Sequence, residues 1–367
     1  MQRYLFSLFV LGSVALAGNP ERAGQAGATQ LLINPYARSS GMGGLNIANC
    51  YGIESIIINP AGIALTRRTE FVFSHTRWLV GSDININAFG FAQGFRNGGT
   101  LGLAVVAFDM GQFERTTMDN PDGGLGYFSP TILNISLSYA KVFADDRIFV
   151  GSTVKFIHES IPDAAANGVA FDAGVQYRDK QGNFKLGVAL RNIGPQMRFR
   201  GEGLSARVNI SGAGGTFTNA MHTPAASFEI PSVLLLGASY RIGIGGESEI
   251  KAREASSGGT GGATDYLFSV VPMIGFYAHS FQNNQLGAGI ELRYKSYFMV
   301  RGAYLWEPDL TNKDQAQNAF NGINLGATVE LPFRTGENRY SSFGIDYSYR
   351  PTYFFNGTHS IGARLYL

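Results

Sequence analysis

Five histidines, His75, His158, His222, His279 and His359, are the residues best suited to acid–base or metal chemistry, and they stand far apart with no ligand spacing between them. No Gly-x-Ser-x-Gly elbow and no His-Glu-x-x-His pair accompanies them, so neither a serine hydrolase nor a zinc protease is spelled out. Gly41, Gly43 and Gly44 look like the glycines of a phosphate loop. However, no buried strand precedes them and no Lys-Ser/Thr follows to hold phosphate and metal. The single cysteine, Cys50, cannot form an internal disulfide and suits apolar packing. The expectation is a protein that is not an enzyme and carries no cofactor or metal.

Charged residues at a two-residue period offer a different chemistry. In "GAGIELRYKS", Glu291, Arg293 and Lys295 share one face while Ile290, Leu292 and Tyr294 share the other. "INLGATVEL" sets Asn324, Thr328 and Glu330 against Ile323, Leu325, Ala327, Val329 and Leu331. "FGIDYSYR" sets Asp346, Ser348 and Arg350 against Phe343, Ile345, Tyr347 and Tyr349. "FDAGVQYRD" does the same with Asp172, Gln176 and Arg178, and "SIGARLYL" with Ser360, Gly362, Arg364 and Tyr366. Acids and bases on neighbouring strands, all turned from an apolar face, predict a lumenal polar network of Asp172, Arg178, Glu291, Arg293, Glu330, Asp346, Arg350 and Arg364. Such a network either fills an interior or serves transport.

Those faces require strands. Period-two runs bounded by Gly, Asn, Asp or Pro lie near 69–80, 83–95, 99–111, 130–143, 146–160, 167–179, 183–194, 230–243, 264–278, 284–295, 297–307, 321–333, 340–350 and 358–367. About fourteen strands of roughly 10 to 15 residues exceed the soluble mean of about 5–6 and match tilted membrane strands. No four-strand repeat marks a propeller, and no apolar run after the first residues approaches the roughly 20 residues of a transmembrane helix. Aromatic residues make up 13% and charged residues only 15%, which suits a chain with one face in lipid. The fold class is therefore all-β: a transmembrane antiparallel β-barrel of about 14 strands. A net charge of +2 leaves no footprint for nucleic acid.

Connection lengths alternate. "RNGG", "ADD", "DKQGN", "KS" and "RTGEN" read as periplasmic turns, and 111–129 and 194–228 as long surface loops. The exception is 244–265, Gly/Ser-rich and read as a flexible linker. Pro231, Pro272 and Pro332 mark bulges, kinks or strand ends. Ahead of the barrel, Arg3, the apolar run Leu5 to Leu16 and Ala15-Leu16-Ala17 predict a cleavable signal peptide over 1–17. Residues 18–68 are punctuated by Asn34-Pro35 and Asn59-Pro60, which favour turns and short helices. Placed before a barrel (69–367) too wide to be filled by its own side chains, this segment is expected to be a small helical and coil plug.

At "ARSSGMGGLNIA" and "INPAGIALTRRTEFVFSHTRWL" the chain resembles the PorV/PorQ-type outer-membrane proteins of the Bacteroidetes group, within the FadL-like barrel superfamily. The resemblance is sharpest over residues 30–80 and is one of fold beyond them. It implies a plug motif of Gly41, Gly43, Gly44, Asn59, Pro60, Ala61 and Gly62 leading into a fourteen-stranded barrel in the outer membrane. The final strand resembles the signal read by the barrel-assembly machinery, through Ser360, Gly362, Leu365 and Leu367. The implied function is that of an accessory protein of type IX secretion. Its partners would be membrane lipid, the translocon barrel and the C-terminal domains of exported cargo, gripped by surface loops and by Tyr353, Phe354 and Phe355. The alternative is FadL-like passive transport of small hydrophobic compounds, through a pocket between plug and wall and a lateral gap at a strand kink. A third reading is a structural partner of another barrel.

Overall fold

The computed structural model describes residues 19–245 and 266–367, apart from 97, 118, 145, 213, 214, 337 and 338. The expected signal peptide and nearly all of the expected 244–265 linker lie outside them. The strands are β1 (Thr69–Trp78), β2 (Ile84–Gly94), β3 (Gly99–Asp109), β4 (Phe113–Glu114), β5 (Tyr127–Phe128), β6 (Thr131–Phe143), β7 (Ile148–Ile161), β8 (Ala164–Arg178) and β9 (Phe184–Ile193). They continue with β10 (Ser205–Gly212), β11 (Gly215–His222), β12 (Val233–Tyr240), β13 (Ile242–Ile244), β14 (Phe268–His279), β15 (Gln285–Tyr294), β16 (Phe298–Trp306), β17 (Ile323–Gly336), β18 (Arg339–Arg350) and β19 (Thr358–Tyr366).

Fourteen of these, β1–β3, β6–β9, β12 and β14–β19, form one antiparallel sheet that closes on itself. β12 pairs with both β9 and β14, and β1 pairs with both β2 and β19, so the described barrel strands leave no free edge. Closure matters in hydrocarbon, where no water is present to satisfy an unpaired strand edge. The last strand is a stave of the wall: Glu70 opposes Tyr366, and the Leu367 N–H donates to the Thr69 carbonyl at 3.0 Å. β13 continues β12 along β14 in the same register. The hairpins β4–β5 and β10–β11 stand in two of the long connections, where the sequence shows only loop.

The faces sort as the period-two pattern requires. Phe73, Phe89, Leu137, Phe156, Val188, Ile274, Val300 and Leu331 are exposed on the outer wall, while the alternate residues are buried against the interior. We call the end where β1 begins and β19 finishes the lower end. Its connections 95–98, 144–147, 179–183 and 295–297 are short, whereas 110–130, 194–232 and 307–322 at the upper end are long. That asymmetry is the one outer-membrane barrels show between periplasm and exterior.

Each proline meets an interruption. Pro231 precedes β12, and its carbonyl accepts the Asn192 side-chain amide at 3.1 Å. Pro272, without an N–H, lies on β14 between the partners of β12 and β13, opposite the break between them. Pro332 lies beyond the last β16–β17 pair, Val329 with Phe298, and so has a ladder partner only on β18.

Candidate functional site

Residues 19–68, which fill the interior from Ala28 to Thr66, make only short turns: Pro20–Arg22, Thr29–Leu32, Ala37–Ser40, Asn46–Ala48, Ile53–Ile57 and Pro60–Leu65. Asn59 starts the last of them. Its Oδ1 accepts the Ala61 N–H at 3.2 Å with Pro60 at the first helical position, so the Asn-Pro punctuation is a helix cap. The Nδ2 group of Asn59 also donates to the Ile47 carbonyl at 3.2 Å and to the wall carbonyls of Val175 and Val188 at 3.1 and 3.3 Å. Within the plug, Gly43 and Gly44 have φ of +59° and +81°, a region that favours glycine. The Tyr277 hydroxyl donates to the Gly43 carbonyl at 3.0 Å. A Cβ on Gly62 would stand 2.5 Å from the Cys50 carbonyl oxygen, and one on Gly41 would stand 2.7 Å from the Gly326 Cα.

That last contact belongs to a wider arrangement that alternation alone does not reveal. On the inner wall, Gly187 of β9 opposes Gly237 of β12, which opposes Gly275 of β14, which opposes Gly287 of β15. Gly151 of β7 opposes Gly174 of β8 in the same way. These positions lie against plug backbone or side chain. A Cβ on Gly187 would meet the Ile47 carbonyl oxygen at 2.4 Å, on Gly151 the Pro60 carbonyl at 2.4 Å, and on Gly174 the Asn59 Oδ1 at 2.0 Å. The glycines are a seat that lets the plug chain lie directly on the wall. Two internal voids beside it hold about 10 Å³ each, about the room of one water.

Below this seat lies an ionic layer. Arg364 of β19 approaches Glu54 of the plug at 3.6 Å, Glu330 at 3.4 Å and Asp346 at 3.8 Å, and Glu54 is also paired with Arg38. Asp346 accepts the Thr328 hydroxyl, which accepts Arg301 at 2.7 Å, and Arg301 with Arg293 flanks Glu291. Glu70 holds the descending chain by accepting the Ile53 N–H and the Thr66 hydroxyl, each at 3.0 Å. Of the eight lumenal residues expected to form one network, Glu291, Arg293, Glu330, Asp346 and Arg364 are joined here. The other three are elsewhere. Arg178 donates to the Asp146 carbonyl at 2.6 Å in the lower rim, and Arg350 donates to Asn324 at 2.8 Å and covers the Phe320 ring. A common inward face does not bring together residues many strands apart, such as Arg178, or at different heights on one strand, such as Arg350 and Asp346.

Asp172 anchors a separate cluster on the far side of the lumen. It accepts Lys155 Nζ at 2.6 Å, with Arg191 at 3.8 Å, and all three side chains are buried. The β8–β9 register shifts at this point: Asp172 faces the two residues Arg191 and Asn192, both of which turn inward. Asn192 takes a φ of +59°, its N–H donates to Asp172 Oδ1 at 2.8 Å, and Lys155 Nζ also donates to its side chain at 2.7 Å. Adjacent polar residues between the outward Leu190 and Ile193 are the signal that alternation breaks here. Lys155 and Arg301 were also open to the same period-two reading, whereas Arg38 and Glu54 sit in a segment without a period. Above this cluster, Leu31, Ile157, Ala166, Ala170, Met197 and Ile230 pack with Phe199 and Phe228 under the 194–232 connection.

Cys50 is fully buried. Gln176 Nε2 lies 3.1 Å from its sulfur, and burial pushes the thiol up to about 12. Among the loop aromatics, the Tyr353 hydroxyl donates to the Leu310 carbonyl, while Phe354 is 68% exposed and Phe355 is also exposed. In the last strand, Ser360 and Gly362 turn inward, and Leu367 is exposed. Leu365 is half-buried on the outer face opposite Phe71.

No protein-family model matches the chain, and no curated protein matches it. Among solved structures, the P. putida toluene transporter TodX is similar at a TM-score of 0.51, with 12% identity over 91% of this chain and 97% of that one. A TodX deltaS2S3 mutant, a monoaromatic hydrocarbon channel, is similar at a TM-score of 0.50, with 14% identity over 90% and 97%. At such identity the likeness is one of fold alone, that of a closed antiparallel barrel.

Proposed function

We propose that this protein is an outer-membrane channel that lets small hydrophobic compounds pass, with residues 19–68 as its displaceable plug. The observation that carries this reading is the apolar cluster of Leu31, Ile157, Met197, Ile230, Phe199 and Phe228 beneath the upper connection, directly beside the bulge at Arg191 and Asn192. With the plug displaced, this buried cluster offers an apolar compound a matching surface, and the bulge interrupts the wall's hydrogen-bond ladder where a route into the bilayer would open. The fold supports the same reading, since barrels of similar fold include a toluene transporter and a monoaromatic hydrocarbon channel. The accessory role in type IX secretion has no comparable support from the interior.

The test is uptake of labelled toluene by vesicles carrying the purified barrel, compared with a variant lacking Asn192, which restores one-to-one pairing. Uptake above empty vesicles that falls in the variant is expected. Uptake at background would refute channel function for this compound class. Recovery of a larger barrel and exported cargo with the protein from mild detergent would favour the secretion role instead.

A further inference from the structure

We propose that the outer wall across β16–β19 and β1 binds one anionic lipid, its acyl chain in a hollow of the wall and its phosphate at Arg77 and His359. The hollow has a volume of about 520 Å³ and is bounded by the outward Val300, Leu325, Ala327, Tyr347, Tyr349 and His359, over the strand positions Arg301 and Gly326. That size is within the range of small-molecule sites, roughly 300–1,000 Å³. Missing side chains create it. Ala327 stands between Val300 and Tyr347, and Gly302 stands opposite Leu325, where a Cβ would meet nothing nearer than the Leu325 side chain at 3.8 Å. Val300, Leu325 and Tyr347 are exposed on the same wall, so the hollow opens to hydrocarbon.

Its upper end is polar and cationic. Tyr349 opposes His359, and His359 opposes Arg77, so the three share one outward row. The Tyr347 hydroxyl and His359 Nδ1 are hydrogen-bonded at 2.7 Å, and the Tyr349 ring lies 4.7 Å from the imidazole. Arg77 is exposed and has no ion-pair partner among the described residues. Along that row the next acid is Asp109, beyond Asn85. Arg77 stands one residue from the upper end of β1, where an outward arginine sits at headgroup depth.

The combination selects the occupant. Lipid tails are as apolar as the wall, so the hollow alone gives little preference over bulk lipid. Preference comes from the charge at its mouth, and an interfacial cation favours an anionic headgroup. A neutral hydrocarbon leaves Arg77 without a role, and free phosphate leaves the hollow without one. The site lies on the outer wall and does not depend on passage through the lumen.

Native mass spectrometry of the purified barrel, incubated with phosphatidylglycerol or phosphatidylcholine, tests the proposal. Wild type is expected to retain phosphatidylglycerol preferentially, with Arg77→Gln lowering that retention about fivefold, the effect of one interfacial cation. Ala327→Phe, which fills the hollow from the lipid side and leaves the interior untouched, is expected to lower retention as well. Resistance of both variants to cold SDS confirms that the barrel is closed. No preference for phosphatidylglycerol, retention unchanged in either variant, or occupation of this wall by a second copy of the chain overturns the proposal.

Discussion

Gly151 and Gly187 offer a direct test of the plug's seat. Replacing either with Ala places a methyl carbon 2.4 Å from plug backbone atoms, the Pro60 carbonyl in one case and the Ile47 oxygen in the other. Backbone on both sides cannot give way as a flexible side chain would, so the plug must shift. Overpacking of this kind costs about 1–3 kcal/mol. At about 1.4 kcal/mol per tenfold, that raises the unseated population about 5- to 150-fold. The protein carries its own reporter, because Cys50 is the only cysteine, is fully buried in the plug, and has a thiol pushed up to about 12. Alkylation at pH 8 then requires unseating, which returns the thiol toward its ordinary value near 8.5, and the labelling rate follows the open population. Gly302→Ala is the control, since its Cβ faces outward with only a 3.8 Å contact. Equal labelling of wild type, Gly151→Ala and Gly187→Ala, all with closed barrels, would refute the seat.

Further substitutions probe the other layers. Arg364→Met leaves Glu54, Glu330 and Asp346 without their shared cation and is expected to destabilise the barrel by about 3–5 kcal/mol, read as a lower temperature of SDS resistance. A loss below about 1 kcal/mol would mean that the remaining arginines already neutralise the carboxylates. Asn59→Ala removes the cap and three donated bonds, so about 2 kcal/mol and faster Cys50 labelling are expected. Phe354→Ala, at an exposed loop position, is expected to leave thermal stability within about 0.5 kcal/mol, and a larger drop would place that ring in a packing role.

The barrel was legible because its rule is local. A strand in the wall must alternate, so "FGIDYSYR" and "SIGARLYL" declared their lipid and lumen faces residue by residue, and the strand ends fell within a few residues of the turn signals. The β10–β11 hairpin was missed because a loop hairpin answers to no lipid face and need not alternate. The bulge at Arg191 and Asn192 was written in the sequence as two adjacent polar residues, but only the pairing of β9 with β8 turns that irregularity into a break opposite Asp172.

The candidate site divides along the same line. The period-two pattern by itself determined that Glu291, Glu330, Asp346 and Arg364 face inward, since a charge cannot face hydrocarbon. Which of them meet was decided by strand order and by the plug. Glu54 and Arg38 come from a segment with no period, Arg178 and Asp172 are separated from the others around the circumference, and Arg350 stands at the upper end of the strand that carries Asp346. The glycine seat lies wholly on the tertiary side. A glycine in a strand states that a side chain is missing, but only the closed barrel lines up Gly187, Gly237, Gly275 and Gly287, because register, closure and the path of the plug are properties of the whole sheet.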